Sequence, residues 1–284
     1  MKNFSLSILA VATLIAAPAI AADLPVKAPI AAPPVAPAWT GFYIGGAVGG
    51  RWSDTNWNTT CQETGQVGNT SCNVFPDRFV TNNPQRFNSS AFRGSIYGGY
   101  NWQVTPVWVL GVEGDFGWAD NKKTNAGIPG LESPTVIGAP GLDQSSVKQT
   151  WDGGIRGRAG YLVTPSVLLF GTGGVSFTHI EASAHCGTLF SVGWCGIPAN
   201  IGRTDTSSSD RVGWTVGAGI EAMIAPNWLL RGEYRYADYG VFSFTQLQGP
   251  TSNIDAYSAD VHYRTHTGLV GIAYKFGGPV VAKY

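Results

Sequence analysis

The chain has 284 residues, 18 Lys+Arg against 18 Asp+Glu, 38 glycines and 12% aromatic residues. A formal charge of zero excludes a polybasic nucleic-acid binder. Abundant glycine together with aromatic residues points to β-structure with close backbone approach.

The N-terminus reads as an export signal. Lys2 is followed by an apolar run from Leu6 to Ala17 and by the small-x-small site Ala19-Ile20-Ala21. This predicts a signal peptide over residues 1–21 and a mature chain that begins at Ala22. The alternative is an N-terminal membrane anchor, for which the apolar core is short. Loss of Lys2 leaves 17 basic against 18 acidic residues, a net charge of −1. Residues 22–38 hold five prolines between Pro25 and Pro37, which favours an extended, unpacked periplasmic segment. Beyond it no apolar run reaches the length of a transmembrane helix. The exported part, about 260 residues, is the size of one domain.

Period-2 alternation then predicts eight strands, near 41–52, 92–104, 107–119, 149–163, 167–178, 210–224, 228–240 and 260–276. Three gaps are tight and centred on proline: Thr105-Pro106, Thr164-Pro165-Ser166 and Ala225-Pro226-Asn227. The other four, about 53–91, 120–148, 179–209 and 241–259, are long and polar. Strict alternation of short turns with long loops is the pattern of an all-β, antiparallel, up-and-down transmembrane barrel with periplasmic turns and extracellular loops. The expected barrel spans 39–276, with 277–284 as a C-terminal extension.

The strand faces agree. Trp108, Leu110, Val112, Phe116 and Trp118 share one face, and Glu113 and Asp115 the other. Leu230, Tyr234 and Tyr236 oppose Arg231, Glu233 and Arg235. Val212, Trp214, Val216, Ala218 and Ile220 oppose Arg211, Thr215 and Glu221. In lipid every backbone group must be paired, so such strands must close into a barrel. Trp39, Trp52, Trp102, Trp108, Trp118, Trp151, Trp214 and Trp228 lie near strand ends and are expected in the aromatic girdles. A lipocalin-like barrel or secreted sandwich has the same periodicity with inside and outside exchanged. The tryptophans, the glycine-and-charge faces and the loop asymmetry favour the membrane.

The stretches WTGFYIGGAVGG (39–50), WDGGIRGRAGYLVTPSVLLFGTGGVSF (151–177), GWTVGAGIEAMIAPNWLLRGEYRYADYG (213–240) and GLVGIAYKFGG (268–278) resemble the small outer-membrane porin family of alphaproteobacteria. That family includes the outer membrane immunogenic proteins and the rhizobial RopB-like proteins. It is distantly related to the transmembrane barrel of outer membrane protein A. The resemblance covers nearly the whole exported chain except the long loops. It implies an outer-membrane location, a setting of lipid and lipopolysaccharide, assembly by the barrel-assembly machinery and display as a surface antigen. Barrels of this class often end on an aromatic residue. Here Phe276 closes the last strand and Tyr284 ends the chain, which leaves two candidates for the assembly signal.

Four cysteines allow three pairings. The simplest is Cys61 with Cys72 and Cys186 with Cys195, each within one loop and in an oxidising compartment. Each bridge closes roughly ten residues and stabilises by about 2–3 kcal/mol. The alternative is a metal site built from His185, Cys186 and Cys195. His262 and His266 lie about 13 Å apart on a strand, too far to share one ion. Haem ligation by His179 or His185 is a further alternative. Ser258, Asp260 and His262 have the residue types of a hydrolase but no nucleophile motif, so no enzyme activity, metal or cofactor is expected.

The registers point Arg51, Arg93, Glu113, Asp115, Asp152, Arg156, Arg158, Arg211, Glu221, Arg231, Glu233, Arg235 and Lys275 into the lumen. An eight-stranded barrel is just wide enough to be filled by its side chains, so these charges are expected to pair into a network. Three functions follow: a structural barrel that supports the envelope and displays loops, a narrow channel for small solutes, or a surface adhesin or ligand binder that touches host or matrix through its loops. Mass spectrometry of outer membranes is expected to find the mature terminus at Ala22, and non-reducing peptide mapping to find Cys61–Cys72 and Cys186–Cys195. Retained Met1–Ala21, or a Cys61–Cys186 peptide, would contradict these readings.

Overall fold

A computed structural model describes residues 38–62, 83–129, 144–186, 203–246 and 256–277. The expected signal peptide, proline-rich segment and C-terminal extension, with Tyr284, lie outside the described residues except Ala38 and Gly277. Eight strands run in chain order: β1 Gly41–Gln62, β2 Gln85–Gln103, β3 Trp108–Ala126, β4 Gln144–Thr164, β5 Val167–Cys186, β6 Arg203–Ala225, β7 Trp228–Gln246 and β8 Ala256–Lys275. Each pairs antiparallel with the next, and β1 pairs with β8 from Tyr43↔Lys275 to Gln62↔Ala256, so the sheet has no free edge.

Three tight turns lie at one end. Thr105 Oγ1 accepts from the N–H groups of Val107 and Trp108, which fixes the first. Asn227 closes the third with φ of 67°, a left-handed conformation that asparagine tolerates better than most residues. Its carbonyl accepts from the Lys275 N–H.

Between the turns and an outer ring of aromatics the outward face is apolar. Phe42, Ile44, Val48 and Trp52 are exposed on β1, as are Leu110, Val112 and Trp118 on β3 and Val212, Trp214, Val216 and Ile220 on β6. Ile155 is 63% exposed, whereas its neighbour Arg156 is 1% exposed. One ring of aromatics near the turns includes Trp102, Trp108, Tyr161, Trp228 and Tyr274; the other includes Trp52, Trp118, Trp151 and Trp214. Residues 108–118 of β3 span this belt, which matches the roughly 9–11 residues of a tilted strand in a bilayer.

Three expectations need correction. The strands are longer than predicted, because the polar runs at the loop end pair as sheet. β1 continues past Trp52 to Gln62, and β6 starts at Arg203 rather than near 210. Beyond the outer ring the pattern inverts. Asp54, Asn56 and Asn58 point out, while Trp57 is wholly buried. Ser208 and Asp210 point out on β6, whereas Ile180, Ala182 and Ala184 are buried on β5. Here the wall has the polar-out, apolar-in pattern of a barrel in water, over a core of Trp57, Phe87, Val147, Ile180, Tyr239, Phe242, Phe244, Val261 and Tyr263. Register shifts mark the boundary, between Trp118 and Asn121, Gln149 and Asp152, and Asp238 and Val241. At the last of these, Gly240 holds a φ of 70° and its N–H bonds Asp238 Oδ1, a bulge that swaps which β7 residues face inward.

The second correction is Trp39. It is not in a girdle but fully buried beneath the barrel, with its indole N–H on the Pro165 carbonyl and its backbone N–H on Gln103 Oε1. It packs with Tyr43, Val109, Leu162, Leu168, Leu229 and Ala273. The segment before β1 turns under the strands, which removes the ring from the lipid. The third concerns Arg211 and Lys275, described with the site below.

Arginine at Ile155, on the outward face inside the belt, is expected to reduce folding into lipid vesicles by about 2–4 kcal/mol. Arginine at Ser208, outward but beyond the outer ring, is expected to fold as the parent does. Equal behaviour of the two in a gel assay of heat-sensitive mobility would show that the belt is misplaced.

Candidate functional site

Among the described residues, the lumen gathers the largest set of converging charged side chains. Alternation turns every second residue inward, and the inward positions of β1 to β4, β6 and β7 carry the charges. Six guanidiniums (Arg51, Arg93, Arg156, Arg158, Arg231, Arg235) meet five carboxylates (Glu113, Asp115, Asp152, Glu221, Glu233). Six of these contacts join strands that are not neighbours, such as Arg51 on β1 with Asp152 on β4 and Arg235 on β7 with Asp115 on β3. Such pairs cross the interior.

The half nearer the turns centres on Glu113. Its Oε1 lies 2.6 Å from Arg156 Nη2, and its Oε2 lies 2.6 Å from Arg231 Nη2 and 2.7 Å from the Tyr43 hydroxyl that donates to it. Glu221 Oε2 accepts from Arg158 at 2.6 Å, and Glu233 Oε1 from Arg156 at 2.9 Å. The Arg158 and Arg231 guanidiniums stand 4.3 and 5.0 Å from the Phe170 ring centre, and Arg231 lies 4.4 Å from that of Tyr97. These cation–π contacts join the charged layer to the apolar plug of Trp39 and its neighbours.

The half nearer the loops centres on Asp152 and Asp115. Arg51 Nη1 reaches Asp152 Oδ1 at 2.6 Å, and Arg93 spans Asp152 through Nε and Nη2 at 3.1 and 2.8 Å. Arg51 also donates to Asn121 Oδ1 and to the carbonyls of Ala119 and Gln149. Above this layer, outside the membrane belt, the Tyr263 hydroxyl donates to Gln149 Oε1. Burial pushes that hydroxyl up to about 12, against the lowering influence of Ser53 and Arg51, so it is a neutral donor.

Two of the predicted lumen charges do not join the network. Lys275 is buried at the turn end, with Nζ 3.5 Å from the Gly277 carbonyl. Arg211 has inward parity but sits beyond the outer ring, partly exposed, over Phe242 at 5.4 Å with Nη2 on the Val241 carbonyl. The sequence reading missed Tyr43, Asn121, Gln149 and Trp57. Tyr43 and Trp57 share strand parity with Arg51, and Asn121 with Glu113 and Asp115, and that parity was the available signal; Gln149 has the opposite parity to Asp152 and turns inward only through the register shift between them.

The other candidates are dispersed. His262 bonds Asp238 at 2.9 Å, and Asp260 accepts from Ser243, while Ser258 is buried beside them. His179 bonds Asp210, His185 bonds Thr204, and His266 bonds Tyr234, so the four histidines lie on the outer wall with separate partners. Cys61 lies one residue before the end of β1 and Cys186 ends β5; Cys72 and Cys195 lie outside the described residues.

Comparison with known proteins agrees with this architecture. The family described as outer membrane protein beta-barrel domain matches residues 7–276. The 31 kDa outer-membrane immunogenic protein of Brucella melitensis is 31% identical over 189 residues, which cover 66% of this chain and 68% of that protein. The 22 kDa outer membrane protein of Rhizobium leguminosarum bv. viciae is 30% identical over 185 residues, 65% of this chain and 66% of that one. The structure of OprG from Pseudomonas aeruginosa is similar over 86% of this chain and all of that one, with 12% identity and a TM-score of 0.46, a likeness too loose to inform the chemistry.

Replacing Glu113 with alanine leaves Arg156 and Arg231 without their shortest partner. The expected loss is about 3–5 kcal/mol, as for other broken buried pairs. Glu181, whose partner Lys148 lies 4.0 Å away on the outer wall, is expected to cost at most about 1 kcal/mol when replaced by alanine. Urea titration of the folded band in vesicles measures both, and similar losses would mean that the network does not hold the barrel.

Proposed function

The chain belongs to the outer membrane protein beta-barrel domain family and resides in the outer membrane, and on that premise we propose that it is a closed structural barrel that supports the envelope and displays its loops at the surface. The observation that carries this reading is the filling of the lumen in three layers. Apolar side chains around Trp39 lie at the periplasmic end, the ion-pair network in the middle and the aromatic core around Trp57 at the outer end. A solute entering from either side meets a packed apolar layer before it reaches the ion-pair network. The strands also run on beyond the outer aromatic ring, which carries the loops away from the lipid headgroups. The Brucella melitensis relative is named immunogenic, which fits loops presented outside the cell.

A narrow channel for small solutes is the competing function, favoured by the excess of arginines over carboxylates in the lumen. It requires both apolar layers to move aside. An adhesin or binder would use the loops.

The deciding experiment is planar-bilayer recording with the refolded mature chain. The closed barrel is expected to give no stable conductance steps, with or without Trp39→Ala, because the charged layer and the outer core persist in that variant. Large, regular steps from the unaltered protein would overturn the proposal.

A further inference from the structure

The lumen charges do not balance. Among the described residues, six guanidiniums against five carboxylates leave an excess of +1 in a layer enclosed by apolar side chains. An uncompensated charge in such surroundings is strongly unfavourable. The excess is weighted towards the loops, although Arg156 also lies 3.2 Å from Asp115 Oδ1 and Arg235 lies 3.5 Å from Glu233 Oε1, which joins the two halves. In the half nearer the turns, Arg156, Arg158 and Arg231 face Glu113, Glu221 and Glu233, three against three. In the half nearer the loops, Arg51, Arg93 and Arg235 face Asp115 and Asp152, three against two.

The unused donors lie in that same half. All three nitrogens of Arg51 have acceptors: Asn121, Asp152, and the carbonyls of Ala119 and Gln149. Arg93 and Arg235 both lean on a single oxygen, Asp115 Oδ2, at 3.0 and 2.8 Å. Arg93 Nη1 and Arg235 Nε have no hydrogen-bond acceptor among the described residues, although Arg235 Nε lies 3.5 Å from Glu233 Oε1. Both side chains are more than nine-tenths buried. The Nε atoms of Arg156, Arg158 and Arg231 also lack acceptors, but their half is neutral, so a neutral acceptor suffices there without a counter-charge.

We infer that the outer half of the lumen binds one small monovalent inorganic anion between Arg93 and Arg235. A water molecule satisfies a donor but leaves the charge. A divalent oxyanion reverses its sign and is too large for an interior filled by side chains. A halide supplies one negative charge and accepts from several N–H groups at once. The inference concerns the same lumen as the proposed function but does not depend on its being closed. Conductance decides that question, and anion dependence decides this one.

Chloride is the probe. The refolded full chain is heated in detergent micelles at fixed ionic strength while sodium gluconate, whose anion is too large for the site, is exchanged for sodium chloride. A bound anion predicts a rise in the unfolding temperature that saturates with chloride. Two substitutions should abolish the rise by removing the excess. Arg235→Gln deletes one cation. Thr267→Asp adds the missing carboxylate, since Thr267 is buried and directly opposite both Arg51 and Arg235 across its two neighbouring strands. Ser208→Asp adds the same charge to the outer wall and should keep the response. If Arg235→Gln does not fold, Thr267→Asp carries the test. No chloride response in the unaltered protein, a response that persists in Thr267→Asp, or its loss in Ser208→Asp would each overturn the inference.

Discussion

Within the belt bounded by the two aromatic rings, no outward position can carry a charge without a cost of about 2–4 kcal/mol near the midplane. The rest of the structure depends on that constraint. Every polar side chain that a strand brings into the belt is driven into a lumen just wide enough for eight strands' worth of side chains. Once inside, the charges are out of water and must find one another across the barrel. The short contacts of Glu113, Glu221, Asp115 and Asp152 with guanidiniums on other strands are the result. Inward glycines make the room. A Cβ on Gly117, for instance, would collide with the Arg93 guanidinium.

Where the lipid ends, the same alternation serves the opposite purpose. On β8, Tyr274, Ile272 and Val270 face outward in the belt and Arg264 and His262 beyond it; inward, Thr267 and Thr265 give way to Tyr263, Val261 and Ala259. Between β1 and β8, one continuous register therefore passes from an inside-out protein to an ordinary water-soluble one. The bulges at this level show that the passage is also a place where pairing adjusts, most plainly at Gly240, where an extra residue turns Phe242 and Phe244 into the core.

The period-2 faces, the proline turns and the inward set around Arg156 and Arg158 were legible in the sequence because the belt demands an unbroken apolar face. The strand extensions were not. Runs such as Arg203-Thr204-Asp205-Thr206-Ser207-Ser208-Ser209 have no large apolar residue on either face, so they read as loop; their pairing depends on Ile180, Ala182 and Ala184 of β5, far away in the chain. Trp39 was misplaced because a tryptophan beside a strand end matches a girdle. Its parity with Tyr43 and Ala47 was the better guide, since those residues are buried too. Arg211 shows the reverse failure. Its parity is inward, but parity alone carries no information about height along the barrel.

The central claim, that one register serves two solvents, is tested most directly by nitroxide labels placed one at a time along β1 at Phe42, Ile44, Val48, Trp52, Asn56 and Asn58. Collision rates with oxygen, which concentrates in lipid, and with a nickel chelate, which stays in water, would be read in bilayers. The account predicts oxygen dominance from 42 to 48, a crossover at 52 and chelate dominance at 56 and 58. Oxygen dominance at 56 and 58, or chelate dominance at 44 and 48, would contradict it.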